Sequence, residues 1–159
     1  METKTYKTIN TEEAGWPGGP WSDEPDKMQW QDLETGLPCL VVRHLTSGHL
    51  CGYVGVAEGH PFYGSDYDEP DIDIHGGLTY AASCSPEEDE STGICHLPGE
   101  GEPDHVWWFG FDCAHCNDCR PYDLNVGFRP PGSTYKTFVY VQNECKRLAL
   151  QLANLASTT

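Results

Sequence analysis
A chain of 159 residues with 25 Asp and Glu against 9 Lys and Arg has a formal net charge of −16, a surface that repels phosphate backbones and excludes general binding of nucleic-acid polymers. No stretch approaches the roughly 20 apolar residues of a membrane span, and Met1-Glu2-Thr3-Lys4 lacks the apolar core of a signal peptide, so a single cytoplasmic domain over 1–159 is expected. The 38% hydrophobic and 11% aromatic content suits a folded core, and 17 Gly with 12 Pro imply many turns and few long helices.

Residues 1–15 read as an extended, flexible arm, and Gly15 to Trp21 is too rich in Gly and Pro to hold a helix. Met28 to Asp32 and Leu37 to His44 read as a hairpin joined at Glu34-Thr35-Gly36. His49 to Val56 is a third strand, in which Gly52 and Gly55 predict a bulge or a close backbone approach. Long acidic loops follow over 58–77 and 85–104, separated by a short strand at Leu78 to Ala82. His105 to Asp112, with Val106-Trp107-Trp108-Phe109, is a buried strand, and 113–133 is loop again.

Val141, Cys145, Leu148, Leu152 and Leu155 then recur at helical spacing. They predict a C-terminal helix over 134–156, capped by Ser133 or Thr134. The class that follows is α+β: a mainly antiparallel, twisted sheet with long loops and one helix packed on it.

The long loops hold most of the His, Asp and Cys, and loops of that length are commonly functional. Cys113, Cys116 and Cys119 repeat a C-x-x-C spacing that can grip zinc or another divalent cation, with His115 or Cys95-His96 able to add a ligand. The alternative is a set of inert buried thiols. With no export signal, disulfides are not the first expectation for the eight cysteines. Asp112, His115 and Asp118 stand three residues apart, and a carboxylate beside a histidine fixes its tautomer and raises its basicity. His75, before Gly76-Gly77 and the strand containing Tyr80, is placed to act as acid or base. These residues are the catalytic candidates: His75, His115, Asp112 and Asp118.

For ligand binding, Trp21, Trp107 and Trp108 are candidates to stack on a base, with Glu24, Asp26, His60 and Tyr80 as further lining, and Lys27 and Arg43 to meet phosphate. Trp21 also reads as a plug at a core edge, and Gly59-His60-Pro61 as a tight turn with an exposed histidine. The chain carries no Gly-rich phosphate loop, dinucleotide fingerprint, nucleophile elbow or paired-His metalloprotease helix.

Glu24-Pro25-Asp26-Lys27, Thr35-Gly36-Leu37-Pro38-Cys39-Leu40, Leu50-Cys51-Gly52-Tyr53-Val54-Gly55-Val56, Gly59-His60-Pro61, His75-Gly76-Gly77-Leu78-Thr79-Tyr80 and Trp107-Trp108-Phe109-Gly110-Phe111-Asp112-Cys113-Ala114-His115 together resemble a family of small bacteriophage and prophage proteins. The resemblance spans roughly 16–155. It implies His60, His75, Asp112, His115 and Asp118 as the shared polar set and leaves Cys116 and Cys119 outside the family pattern. It also implies an accessory protein in the cytoplasm of an infected bacterium, a homo-oligomer that binds, and in one version hydrolyses as a phosphodiesterase, a small nucleotide signal of host defence. The alternative expectation is a zinc-stabilised acidic protein that binds a host protein.

Overall fold
The computed structural model describes residues 1–85 and 87–157. Pro86, inside the second acidic loop, and Thr158 and Thr159 lie outside the described residues.

Six strands form one antiparallel sheet. They are β1 (Lys4–Tyr6), β2 (Lys27–Gln31), β3 (Pro38–Arg43), β4 (Leu50–Ala57), β5 (Tyr80–Ser83) and β6 (Val106–Asp112), in the order β1-β2-β3-β4-β6-β5. Short helices α1 (Thr11–Ala14) and α2 (Pro121–Asn125) lie in the connections, with a 3-10 turn at Pro20–Ser22, and α3 (Phe138–Ser157) closes the chain. The expected hairpin, third strand, short strand and buried strand are all present, within one or two residues of their expected ends, and the α+β class holds.

Alternation along the strands explains how the sheet is covered. Cys39, Val41, Leu50, Val54, Val56, Phe109 and Phe111 form the face that receives Phe138, Val141, Cys145, Leu148, Ala149 and Leu152 of α3. Gly52 is what lets α3 lie close: a Cβ there would stand 2.4 Å from the Phe111 ring and 2.7 Å from Cys145 Sγ. The intervening residues Leu40, Val42, Tyr53, Val106 and Trp108 face the other way and form a second core.

That second face is roofed by the acidic loop between β5 and β6. The buried Lys27 ammonium donates to the carbonyls of Glu90, Gly93 and Cys95. Gln29 takes the Leu97 N–H at 2.8 Å, and the ring of His96 meets Trp108 edge-on at 5.2 Å. Cys84 and Cys95 are joined by a disulfide across this loop, which corrects the expectation of reduced thiols. Spacing among eight cysteines does not single out this pair; the return of the chain over the sheet brings it together.

Three further readings change. The N-terminal arm is docked: β1 pairs with β2, and Asp26 accepts the N–H groups of Thr8 and Ile9 at 2.9 Å. Asn10 then caps α1 through Glu12 and Glu13 N–H. The loop over 113–133 contains α2. The C-terminal helix starts at Phe138 rather than 134, with the Thr137 hydroxyl accepting the Tyr140 N–H at 3.2 Å. Ser133 and Thr134 do not cap it. Thr134 is committed to a bridge with Asp118, taking the Cys119 N–H at 2.8 Å and donating to the Asn117 carbonyl at 3.0 Å.

Candidate functional site
Where β6 ends, three stretches of chain meet: the turn at 74–79 before β5, the turn at 112–119 after β6, and the start of α3. Strand order dictates this meeting, since β5 and β6 are sheet neighbours and the Thr79 N–H donates to the Gly110 carbonyl at 2.9 Å. All four catalytic candidates lie here.

His75 Nε2 stands 2.9 Å from Asp118 Oδ2 and 3.1 Å from Oδ1, and its Nδ1 is 2.8 Å from the Tyr140 hydroxyl. Both ring nitrogens are therefore engaged. Asp118 also accepts the His115 N–H at 3.0 Å and faces the Lys136 ammonium at 3.1 Å. Burial opposes its charge, but the hydrogen bonds from His75, the His115 N–H and Lys136 outweigh burial and hold the carboxyl below the usual carboxylate range.

His115 is the second imidazole, its ring centre 5.8 Å from that of His75. Its Nε2 lies 3.3 Å from Asp112 Oδ1, without the alignment of a hydrogen bond, and is a buried nitrogen with no partner. Asp112 is oriented by the Ala114 N–H at 3.1 Å and the Thr79 hydroxyl at 3.2 Å. Gly76 creates the room for this ring. Its φ is +67°, and a Cβ there would fall 2.1 Å from His115 Nε2.

The result is two histidine–carboxylate pairs side by side, one saturated and one with an unused nitrogen, next to a lysine. Such a set can donate and accept protons and can neutralise an anion. Sequence reasoning missed Lys136 and Tyr140. Tyr140 sits one position before Val141, off the apolar stripe, and Lys136 lies two residues before Phe138, within the expected helix over 134–156, so both read as solvated helix positions.

The ligand-lining set is not gathered at the cluster. Arg43 is fully buried, donating to Asp26 at 2.9 Å, Tyr135 Oη at 2.8 Å, the Gly48 carbonyl at 2.9 Å, the Pro25 carbonyl and Glu24. Lys27 is spent on the roofing loop. Buried and fully paired, neither is placed to meet a phosphate. Glu24 accepts the Phe138 N–H at 2.8 Å and so serves the start of α3, and Asp26 fastens the N-terminal arm to Arg43. Trp21 and Trp108 are buried and offer no open ring face for stacking; Trp21 donates to the Pro17 carbonyl at 2.7 Å. Trp107 is partly exposed and donates to the Ser65 carbonyl at 3.0 Å. Tyr80 packs edge-on to Tyr53 at 5.3 Å. His60 reaches the Leu152 carbonyl at 2.8 Å and accepts the Phe62 N–H at 3.1 Å, which makes it a tie between a loop and α3.

The three-thiol grip of Cys113, Cys116 and Cys119 does not form. The turn in which the Asp118 N–H meets the His115 carbonyl points Asp118 inward and leaves Cys116 exposed, while Cys119 is drawn into the bridge with Thr134. Among the described residues, the donors that come within 4.8 Å of one another are His75, Cys113 and Asp118. Burial, with Asp118 nearby, pushes the Cys113 thiol well above its ordinary pKa. Also among the described residues, no helix is long and apolar enough to cross a membrane. No family model, curated protein or solved structure matches this chain.

Proposed function
We propose that the protein is a hydrolase of small nucleotide signals, acting at the paired imidazoles of His75 and His115. The observation that carries this reading is the convergence of two His–Asp pairs, His75 with Asp118 and His115 with Asp112, beside the Lys136 ammonium.

In this reading His115 moves the proton. Among the described residues no group bonds its Nδ1, so that nitrogen is free to take a proton from an attacking water and return it to the leaving oxygen. Asp112 behind Nε2 stabilises the imidazolium that forms between those steps. His75 stays in place between Tyr140 and Asp118 and holds the carboxylate that anchors the His115 backbone. Lys136, 3.1 Å from Asp118, is the cation of this cluster that balances charge developing on the phosphoryl oxygens. The strongly acidic surface suits a small ligand better than a polymer, and the nucleotide class is taken by analogy from the expected phage origin.

The test incubates purified protein with cyclic and linear nucleotides and chromatographs the filtrate before and after heat denaturation. Conversion to a new product, lost in His115→Gln, is expected. A nucleotide that disappears and returns intact on heating would make the protein a sequestering agent instead, and passage of every nucleotide unchanged would contradict the proposal.

A further inference from the structure
We propose that His75, Cys113 and Asp118 hold a single zinc-type divalent cation, with a coordination position left over for water. The proposal concerns the same site as the hydrolase reading but stands on its own geometry.

The three side chains come from the two turns that flank β5 and β6, and their donor atoms lie within 4.8 Å of one another. Around a tetrahedral zinc, with metal–ligand bonds of about 2.0–2.3 Å, donor atoms are separated by about 3.3–3.8 Å. The set therefore closes on an ion by drawing inward by about 1 Å, which two turns can do without moving the sheet. An imidazole, a thiolate and one carboxylate select zinc or cobalt over magnesium or calcium, which prefer oxygen alone. Three protein ligands with an open position are the pattern of catalytic rather than structural zinc.

Neighbouring groups fit the same arrangement. Tyr140 Oη stands 2.8 Å from His75 Nδ1; with Nε2 turned to the ion, Nδ1–H donates to that hydroxyl and fixes the ring. The His115 N–H orients Asp118 in the same way. Lys136 already donates to Thr134 Oγ1 and to the Thr134 and Asn117 carbonyls, so it keeps partners when the ion takes its place beside Asp118. The step balances: the Cys113 S–H bond breaks, the sulfur keeps the electron pair and gives it to the cation, and one proton leaves to solvent per ion bound. His75 only exchanges tautomers.

Metal-free, full-length protein with the Cys84–Cys95 disulfide intact is titrated anaerobically with cobalt(II) alone, while thiolate-to-cobalt charge transfer is followed in the near ultraviolet and the d–d bands in the visible. One equivalent with a charge-transfer band is expected. The band should be absent in Cys113→Ser and retained in Cys116→Ser and Cys119→Ser. Asp118→Asn and the part-exposed His75→Gln should each weaken cobalt binding at least tenfold, and these keep the test decisive if Cys113→Ser fails to fold. Absence of the band in the parent, or its survival in Cys113→Ser, would overturn the proposal, as would its loss in Cys116→Ser. Nucleotide turnover is scored separately on the same preparations. Cobalt binding without turnover upholds the metal site and defeats the hydrolase reading; turnover without cobalt binding does the reverse.

Discussion

His75 Nε2 lies 2.9 Å from Asp118 Oδ2 although 43 residues separate them in the chain. The pair exists because β5 returns beside β6, setting the turn before β5 against the turn after β6. Each imidazole of the cluster thus depends on a backbone turn as well as on its carboxylate.

Gly76 tests that dependence. Gly76→Ala forces a side chain onto φ +67° and drives a methyl group to 2.1 Å from His115 Nε2, whereas Gly77→Ala meets φ +81° in open space. Backbone strain alone costs about 1–3 kcal/mol in either variant. Gly77→Ala should lower thermal stability by that amount and keep turnover. Gly76→Ala should lose at least tenfold in kcat as well, because His115 is displaced. Equal kcat values in the two variants would detach His115 from the chemistry.

Arg43 separates a structural cation from a phosphate contact. Its guanidinium is enclosed by Asp26, Glu24 and Tyr135. Arg43→Met should cost about 3–5 kcal/mol, since it leaves the buried Asp26 carboxylate without its cation. Denaturant midpoints should show that loss, with KM near the parent's at temperatures where the variant is folded. A variant of parent-like stability with a strongly raised KM would return Arg43 to the ligand.

His49 gives the fold a pH dependence. Burial, reinforced by the neighbouring charge of His44, lowers its pKa from 6.5 to about 4. Asp112 and Asp118 pull weakly the other way, and Arg120 adds to the lowering. The ring stacks on His44 at 4.9 Å, and Nδ1 is 2.6 Å from Ser47 Oγ. Between the two values the unfolded chain binds the proton and the folded chain does not, so stability falls as pH drops from 6.5 toward 4 and the loss is complete below 4. The loss is on the order of 3 kcal/mol. Urea unfolding at pH 7, 5.5 and 4 should show this slope in the parent and a shallower one in His49→Gln. Parallel slopes would assign the dependence to other groups.

The Cys84–Cys95 bond pins the loop that roofs the second sheet face, on the side of the sheet opposite α3. Reduction, or Cys84→Ser with Cys95→Ser, should speed hydrogen exchange over 87–102 and lower stability by roughly 2–3 kcal/mol. Turnover should change less than twofold. A large loss of turnover would connect the loop to the cluster.

Much of the fold is legible in the sequence because it rests on local pattern. Near-continuous apolar runs in Pro38–Arg43, Leu50–Ala57 and Val106–Asp112 mark strands buried on both faces, and Val141, Cys145, Leu148 and Leu152 mark the helix. The helix start is not legible. Thr134 is a good cap by residue type, but it is spent on Asp118 and Cys119, a contact between distant turns. The same distinction holds at the site. His75, Asp112, His115 and Asp118 stand out as polar groups in turns at strand ends, while their pairing, and the parts taken by Lys136 and Tyr140, depend on strand order. Arg43 and Lys27 misled for a related reason: in so acidic a chain each cation suggests an anion-binding role, and their carboxylate and carbonyl partners lie well away in sequence.

The central claim is tested most directly by following one nucleotide panel through the parent and through His115→Gln, with the filtrates chromatographed at equal concentrations of folded protein. The account predicts a new product with the parent and at least a hundredfold slower formation with His115→Gln. Unchanged nucleotides with the parent, or equal rates with both proteins, would contradict it.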